Sequence, residues 1–390
     1  MSGSESKEPL SNKTNTSYWQ KIPNKSATLM KSSFFKPSRD DFRSVVALEH
    51  TDVYRARNVE RLVLSMTLSL LLGFPAWGQD SKPSEAARKE GRVVVYGSLE
   101  DEQLTAIKSS FEKKTGITVD YWRASNAKVL DRAISEYRAR KPLFDVILNN
   151  EDPMEITLKE GILAKYDSPT AKNFSKDAIH PELGVRYRNV IIGIVYNSRV
   201  VTPADAPRSL DDLVKPQYRG KLVMPDPTQH SLTTQWLASL HKIMGKQKAD
   251  KLIRDLAAAR PALVESVSPA ADRVVSGETP IAIAFVKFAY EYSQKGAPVD
   301  YVRLGKMLGD SHYVAISNKA SHPNAAKAFV DFFLNDESMK IMAGRGEFVN
   351  RKGIYPPLKD AEKIEFVPMD HLGTKGFAEK KDEYKKLFLQ

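Results

Sequence analysis

Hydroxyl and amide side chains occupy the points of this sequence at which a strand pattern ends and a helix pattern begins. These side chains belong to Ser98, Ser125, Asn126, Thr228 and Ser231. The first backbone N–H groups of a helix have no partner within it, so hydroxyls and amides beside them form a cradle for an anion. Arg123 and Lys287 add positive charge in this interpretation. Each polar residue taken singly also fits the commoner role of a helix N-cap, and both interpretations stand.

Two carboxylates, one amide and two tyrosines complete the candidate ligand-binding set. Glu100, Asn150 and Asp226 each follow a predicted strand. Ligands of parallel sheets bind beyond the carboxyl ends of the strands, so these three residues are expected at the binding edge. Tyr196 and Tyr290 offer rings that stack on a ligand, with packing inside a hydrophobic core as the alternative.

Catalytic and metal-binding motifs do not stand out in this chain. No nucleophile elbow, Walker loop, HExxH or GxGxxG motif occurs. The chain has no cysteine, which excludes disulfides, thiolate zinc sites, iron–sulfur clusters and cysteine nucleophiles. Its seven histidines show no ligand spacing. We therefore expect no catalytic residue, no metal site and no cofactor.

Strand and helix patterns alternate from about residue 82 onward. Residues 92–96 form a predicted first strand, since three valines and a tyrosine follow Arg92, and residues 100–114 carry apolar side chains at helical spacing. The same succession recurs through residues 117–148 and again beyond residue 190. Such alternation predicts an α/β protein with parallel sheets covered by helices on both faces.

The first 78 residues differ in composition from the remainder. Residues 1–58 are rich in Ser, Lys and Asn and are predicted to be a disordered polar extension. Residues 59–78 combine a charged start, an apolar run and small residues before Gln79, which is typical of a signal peptide cleaved near Gly78. An uncleaved membrane anchor is the alternative. Export is the expectation, with residues 79–390 as the folded protein.

The chain carries a formal net charge of +11 from 59 basic and 48 acidic side chains. Basic residues form no run of five or six, and clusters near the carboxyl terminus mix both signs as a solvated helix does. We expect no binding to nucleic acid.

Five segments of the sequence are informative through their order and spacing: residues 86–98, 111–117, 193–197, 218–222 and 325–332. Together these segments resemble the type II periplasmic solute-binding proteins of ABC transporters, in the branch that includes ferric-ion-binding proteins. The resemblance implies two doubly wound α/β lobes joined by crossover strands near residues 190–197 and 299–305. Lobe 1 is expected at about 92–190 plus 305–355, and lobe 2 at about 195–300 plus the C-terminal helices.

The resemblance also implies a role. A protein of this kind captures a small solute in the cleft between its lobes, as a monomer, and delivers it to a membrane complex of ABC permease and ATPase. The iron-binding members place two adjacent tyrosines after the strand that matches residues 281–285, whereas this chain has Phe288, Ala289 and Tyr290 there, with Lys287 before them. The sequence therefore favours an organic or phospho anion such as a phosphonate, sugar phosphate or carboxylate. Ferric iron is the alternative within the same fold, and an exported enzyme is the least favoured hypothesis.

Overall fold

The computed structural model describes residues 83–389, in which strands and helices alternate as the sequence pattern predicts. The predicted polar extension and signal peptide lie outside the described residues. The helices are α1 (Glu85–Glu90), α2 (Asp101–Thr115), α3 (Asn126–Arg138), α4 (Glu151–Lys159), α5 (Ser231–Ser239), α6 (His241–Met244), α7 (Lys246–Ala258), α8 (Val267–Ser276), α9 (Lys287–Ser293), α10 (Pro323–Phe333), α11 (Asp336–Ala343) and α12 (Gly373–Phe388). The strands are β1 (Arg92–Gly97), β2 (Thr118–Arg123), β3 (Val146–Asn150), β4 (Leu163–Ala164), β5 (Ile179–His180), β6 (Gly184–Asn197), β7 (Leu222–Pro225), β8 (Ala262–Val264), β9 (Ile281–Phe285), β10 (Val299–Tyr301), β11 (Lys306–Ser317), β12 (Phe348–Val349) and β13 (Glu365–Pro368).

A first group of strands runs in the order β2-β1-β3-β11-β6. β1 pairs in parallel with both β2 and β3, while β11 is antiparallel to β3 and to β6. The three parallel strands end at Gly97, Arg123 and Asn150, so the loops that follow them share one edge of the sheet.

A second group of strands runs in the order β6-β9-β7-β8. β7 is parallel to β8 and to β9, and β9 is antiparallel to the second half of β6. The carboxyl ends of β7 and β9 lie at Pro225 and Phe285, and residues 226–231 and α9 follow them.

Two long strands connect the two groups. The first half of β6 pairs with β11 and its second half pairs with β9, so β6 belongs to both groups. β11 is the second connection, because Leu308 near its start packs in the hydrophobic core that contains Met224 of β7 and Ile283 of β9, while its end pairs with β3. The predicted crossover near 299–305 is therefore displaced: residues 299–301 form β10, which pairs with the second half of β6.

Helices cover both faces of the strands. α10 packs on β1 and on α1, and α11 packs on α2, so residues after the second crossover return to the first group. α12 packs on α5 and α7 beside the second group, where its Tyr384 is fully buried. These apolar contacts bury Phe111, Phe329 and Phe333 in a core beside the first strand group. They bury Trp236 in a separate core beside the second strand group. The mixed α/β architecture confirms the predicted fold class.

One predicted helix is divided in the structure. The pattern at residues 232–244 suggests a single helix, whereas α5 ends at Ser239 and α6 begins at His241. The N–H of Leu240 donates to the carbonyl of Leu237 at 3.3 Å. That bond spans three residues instead of four, and the tighter turn separates the two helices.

Candidate ligand-binding site

Three loops at the carboxyl ends of β1, β2 and β3 carry most of the polar residues singled out from the sequence. The N–H of Ser98 donates to the carbonyl of Leu148 at 3.3 Å, which joins the β1 loop to β3. The Nδ2 group of Asn149 donates to the carbonyl of Asn126 at 3.0 Å, which joins the β3 loop to the start of α3. The structure therefore brings Ser98, Asn126 and Asn150 to one edge, as the sequence predicts.

Some polar atoms at this edge are buried without a protein partner. The Oγ of Ser98, the Oδ1 of Asn126 and the Oδ1 of Asn150 have no hydrogen bond within the described part of the chain. Buried polar atoms are normally paired, because leaving one unpaired costs about 1–3 kcal/mol. An edge that holds three such atoms together is suited to a polar ligand.

The loop after β2 contains Arg123 and Ser125. The guanidinium of Arg123 lies 3.7 Å from the carboxylate of Asp101 and remains about half exposed. Ser125 is the N-cap of α3, and its hydroxyl accepts the N–H of Lys128 at 3.5 Å. The first turn of α3 contains no acidic residue, whereas α2 and α4 each begin with two. The start of α3 is thus the most favourable place for an anion among these three helices.

A buried group of charges joins the β1 loop to the start of α9. The ammonium of Lys287 lies 2.9 Å from Glu100 Oε1, 2.9 Å from Glu347 Oε1 and 3.2 Å from Glu291 Oε1. Glu100 follows β1 of the first strand group, and Lys287 follows β9 of the second. The carboxyl ends of strands from both groups therefore meet here.

Arg188 completes this group from the crossover strand β6. Its Nη1 lies 2.9 Å from Glu347 Oε1 and 3.2 Å from Glu100 Oε2. Glu347 also accepts a hydrogen bond from Gln103 Nε2 at 3.0 Å and is 1% exposed. The buried-charge cluster thus has Arg188, Lys287 and Glu347 at its buried centre. Glu100 and Glu291 form its rim, with side chains that are 40% and 33% exposed.

Gly346 permits the close approach between the loop that carries Glu347 and the helix α9 that carries Lys287. Gly346 has φ +91°, a conformation that L side chains rarely adopt, and a Cβ on it would lie 3.4 Å from the Lys287 Cβ and 3.2 Å from Tyr290 Cδ1. A larger residue at this position would be strained and would press on α9. Glycine therefore lets the loop that carries Glu347 reach the ammonium of Lys287, and Tyr290 packs beside that loop.

The charges within the cluster shift one another's pKa. Burial alone would raise the pKa of Glu100, but Arg188 and Lys287 lower it well below its usual range. Burial likewise opposes the ionised forms of Lys287 and Glu347, yet their partners raise the pKa of Lys287 and lower that of Glu347. Glu291 differs, because burial outweighs Lys287 and raises its pKa. Glu100, Glu347, Lys287 and Arg188 are therefore ionised at neutral pH.

A second polar group lies where β11 passes the end of β3. Asn150 Nδ2 donates to Asp310 Oδ2 at 3.0 Å, and His312 Nε2 lies 3.6 Å from the same oxygen. Burial raises the pKa of Asp310 to about 7 and lowers the pKa of His312 well below its ordinary value. The fully buried Nδ1 of His312 has no partner in residues 83–389. This group extends the polar edge formed by the three loops.

The loop after β7 folds on itself. Asp226 Oδ1 accepts the N–H of Thr228 at 2.8 Å, which closes a turn after the strand. The N-cap of α5 is His230, whose Nδ1 accepts the N–H of Thr233 at 3.3 Å. Burial and Lys381 lower the pKa of His230, which keeps the ring neutral and able to accept. Thr228 is buried and Ser231 is exposed, and neither caps the helix.

Tyr196 lies apart from the other candidates. It pairs with Ile281 at the start of β9, whereas Ile192 pairs with Phe285 at the end of β9 that leads to Lys287. Four residues of strand, about 13 Å, therefore separate Tyr196 from that end. Its hydroxyl donates to Asp300 Oδ2 at 3.3 Å, and its ring belongs to a hydrophobic core. The structure does not bring Tyr196 together with the other candidate residues.

Arg188 and Glu347 are candidate site residues that the sequence reasoning missed. Arg188 stands in a long buried strand next to other polar residues, at Arg186 and Asn189, and that interruption of an apolar pattern was the available signal. Glu347 lies in a short loop between α11 and β12 and gives no comparable signal.

Two further findings concern residues 83–389. No set of three or more His, Cys, Asp or Glu side chains in this range has an arrangement suited to a metal ion. No helix in this range is both long enough and apolar enough to span a membrane.

Solved structures and a curated relative resemble the chain. Iron-bound HitA from Pseudomonas aeruginosa has 23% identity and a TM-score of 0.60, covering 76% of this chain and 98% of its own. AfuA from Actinobacillus pleuropneumoniae, with fructose-6-phosphate bound, has 21% identity and a TM-score of 0.59, covering 77% and 97%. The Fe(3+)-binding periplasmic protein of Serratia marcescens is 24% identical over 164 residues, 41% of this chain and 45% of that protein. The two structures support the fold.

The profile of the family described as "Bacterial extracellular solute-binding protein" matches residues 141–375. This range is more than half of the chain and includes β6, β9, α9 and β11, which hold Arg188, Lys287 and Asp310. The predicted resemblance to periplasmic binding proteins of ABC transporters is confirmed, and the chain belongs to the bacterial extracellular solute-binding protein family.

Proposed function

We propose that this protein is the periplasmic solute-binding component of an ABC importer. The observation that carries the proposal is the contact between Glu100 and Lys287, which follow strands of the two different groups. Loops at the carboxyl ends of both sets of parallel strands face a common region, where ligands of open α/β sheets bind. Two lobes that meet at such a region, connected by β6 and β11, can open and close around a solute.

The proposed ligand is a small organic or phospho anion bound at the start of α3. Arg123 is half exposed and pairs with Asp101 only at 3.7 Å, so its guanidinium remains able to bind an oxyanion. The first turn of α3 adds favourable helix-dipole charge without an acidic side chain. Lys287 does not serve as countercharge in this proposal, because three carboxylates already surround its ammonium.

The buried acceptors narrow the ligand class. The Oδ1 atoms of Asn126 and Asn150 need donors, which a bare inorganic anion at neutral pH largely lacks. Hydroxyl or amine groups on an organic anion supply them, while the Ser98 hydroxyl can donate to the anion. A hydroxylated organic anion, such as a sugar phosphate, supplies both the donors for the two asparagine oxygens and the acceptor for the Ser98 hydroxyl.

Ferric iron is the second candidate, favoured by the likeness of this chain to iron-bound HitA and to the Fe(3+)-binding periplasmic protein of Serratia marcescens. The buried-charge cluster argues against it. Both carboxylate oxygens of Glu100 are engaged, by Lys287 at 2.9 Å and by Arg188 at 3.2 Å. Iron would have to displace two cations from this carboxylate. We therefore propose a metal-free ligand and a binding protein, not an enzyme.

The remaining parts of the proposal concern location and partners. A binding protein of this family acts outside the cytoplasm, so residues 59–78 are proposed to direct export and residues 79–390 to form the mature two-lobed monomer. The loaded protein would deliver its solute to an ABC permease and ATPase in the membrane. We propose no nucleic-acid partner.

A thermal-shift screen of the full chain tests the function. A panel of sugar phosphates, phosphonates, hydroxycarboxylates, inorganic phosphate and ferric citrate is compared at matched ionic strength. Because ligand that binds only the folded state stabilises it by about 2.7 kcal/mol at one hundred times Kd, a true ligand raises Tm. Small-angle scattering on each hit should show compaction. A hit from ferric citrate alone would overturn the anion proposal, and a hit without compaction would overturn closure between lobes.

A further inference from the structure

A cavity of about 240 Å³ lies on the first strand group, away from the candidate ligand-binding site. Its floor consists of buried apolar side chains from two strands and a helix, which are Val185 of β6, Val314 and Ile316 of β11 and Val330 of α10. Ile316 pairs with Val146, the first residue of β3, whereas Asn150 at the ligand-binding edge is the last residue of that strand. Four residues of strand, about 13 Å, separate the two places.

The segment between β4 and β6 forms the opposite wall of this cavity. Ala171, in the short 3₁₀ helix Pro169–Asn173, packs in the same hydrophobic core as the floor but has a small side chain. Gly184 has φ +88°, and a Cβ on it would collide with the carbonyl of Val314, so glycine lets the segment approach β11 closely. Protein interiors rarely leave a void larger than a water molecule. A space of this size over an apolar floor is therefore suited to a bound molecule.

Two hydroxyl groups in the wall of the cavity already donate to a shared partner. The hydroxyl of Tyr166 donates to Asp331 Oδ1 at 2.9 Å, and the hydroxyl of Ser168 donates to the same oxygen at 2.6 Å. Each hydroxyl has a single O–H donor. Neither Tyr166 nor Ser168 therefore has a donor left for a molecule in the cavity.

His180 supplies a donor that remains available. Its ring lines the cavity, is half-buried, and has an Nδ1 that accepts the N–H of Glu182 at 3.2 Å and the N–H of Leu183 at 3.0 Å. Because Nδ1 is an acceptor, the ring proton is on Nε2. No hydrogen bond joins this Nε2 to another group within residues 83–389. The cavity thus combines an apolar floor with one directed N–H donor.

The charges that line the cavity do not favour an ion. Lys172 and Glu182 are exposed side chains of opposite sign, and Asp167 adds a second exposed carboxylate. Exposed charges stay hydrated and are screened by salt. An ion placed on the apolar floor would lose its own hydration without gaining a buried partner of opposite charge. The chemistry of the lining therefore selects a neutral molecule.

We propose that this cavity is a second binding site, which takes a small neutral molecule with one apolar ring and one hydrogen-bond acceptor, such as an alcohol, phenol or ketone. The ring packs on Val314, Ile316 and Val330, and the acceptor binds the N–H of His180 Nε2. The cavity exceeds the volume of about 150 Å³ in which an engineered apolar site holds benzene, so a ring with a short substituent fits. The proposal goes beyond the importer function and does not depend on which solute the other site carries. Its failure would leave the anion screen unaffected, and the converse also holds.

Thermal-shift and calorimetric titrations of the full chain with benzyl alcohol test this site. We expect saturable binding and a rise in Tm of at least about 1 °C. Toluene has the ring without the acceptor and should bind about fivefold more weakly, because one hydrogen bond is lost. Benzoate and benzylamine carry a charge on a molecule of similar shape and should give no rise in Tm at matched ionic strength.

Two variants locate the binding, and a third is the control. His180→Asn keeps an acceptor close to the Nδ1 position and deletes the Nε2 donor, so it should bind benzyl alcohol about fivefold more weakly and toluene as the wild type does. Ala171→Leu fills the cavity and should abolish binding of both molecules. His241→Asn changes a histidine of α6, beside the second strand group, and should bind both as the wild type does.

The outcomes separate this site from unspecific binding of an apolar molecule. Where Ala171→Leu does not fold, competition between toluene and benzyl alcohol on the wild type measures whether they share one site. Unchanged binding by Ala171→Leu, independent binding of the two molecules, equal loss of affinity in His180→Asn and His241→Asn, or tighter binding of benzoate or benzylamine would each overturn the proposal. The absence of saturable binding of benzyl alcohol by the wild type would overturn it as well.

Discussion

His371 lies 3.3 Å from Glu151, measured from Nε2 to Oε1, and its Nδ1 contacts the carboxylate of Asp152. The two acids begin α4, which follows β3 in the first strand group. The preceding residue Asp370 is bound on the other side, since its N–H donates to Ser239 Oγ at 2.8 Å at the end of α5. The segment after β13 therefore ties the second strand group to the first, at a place separate from Lys287.

The charge of His371 should make stability depend on pH. Hydrogen bonds to Asp152 and Glu151 raise its pKa to about 10, against about 6.5 in an unfolded chain. A raised folded-state pKa gives stability that is complete below about pH 6.5 and is lost as the pH rises to about 10. The side chain is 39% exposed, so solvent screening limits the effect to about 1 kcal/mol.

Urea denaturation of wild type and His371→Gln at several pH values measures this contribution. At pH 6 the wild type should be more stable by about 1 kcal/mol, and the difference should disappear near pH 10. Comparing the two proteins at each pH cancels the titration of the lysines and tyrosines that both contain. A difference that stays constant from pH 6 to pH 10 would contradict the assignment.

Local patterns were sufficient to predict the parallel strands β1, β2, β3, β7 and β9, many of the helices and the placement of three candidate site residues, but not the crossover strand β11. Ser98, Asn126 and Asn150 each follow a parallel strand, and the fold places the ends of such strands at one edge. Their position depends on sequence over a few residues and on a general property of α/β sheets. Their placement at this edge could therefore be predicted from the sequence, and their role in binding stays a prediction.

The buried-charge cluster depends on contacts that no local pattern encodes. Gln103 and Glu347 are 244 residues apart, and Glu100 and Lys287 are 187 apart. From the sequence, Lys287 resembled a free countercharge, but the three carboxylates that surround it come from distant segments. The position of Tyr196 likewise could not be predicted from local sequence. The antiparallel pairing of β6 with β9 places Tyr196 beside the start of β9, away from the end of β9 that leads to Lys287.

Glu347 should be among the most important buried charges for stability. Glu347→Gln removes the negative charge that Lys287 and Arg188 share, and breaking a buried ion pair typically costs about 3–5 kcal/mol. The matched control is Glu365→Gln, because Glu365 pairs with Lys306 at 3.1 Å while both side chains remain more than half exposed. That substitution should cost about 0–1 kcal/mol.

Chemical denaturation of the three proteins at neutral pH checks this ranking. The Glu347→Gln midpoint should fall clearly below that of wild type, while the Glu365→Gln midpoint should stay close to it. Equal midpoints for the two variants would show that the buried-charge cluster contributes no more than an exposed pair.

Arg123 should control affinity without controlling stability. Its only ion pair in the described part of the chain is the exposed contact of 3.7 Å with Asp101, so Arg123→Gln should leave Tm nearly unchanged. If the anion binds at the start of α3, loss of the guanidinium should raise the Kd at least tenfold, which is a loss of about 1.4 kcal/mol in binding free energy.

Arg138→Gln is the matched control. Arg138 is the last residue of α3, about 18 Å from the start of that helix, and it pairs with Glu160. Calorimetric titration of an anion identified by the thermal-shift screen should give wild-type affinity for Arg138→Gln and reduced affinity for Arg123→Gln. Equal affinities of the two variants would place the anion elsewhere in the cleft.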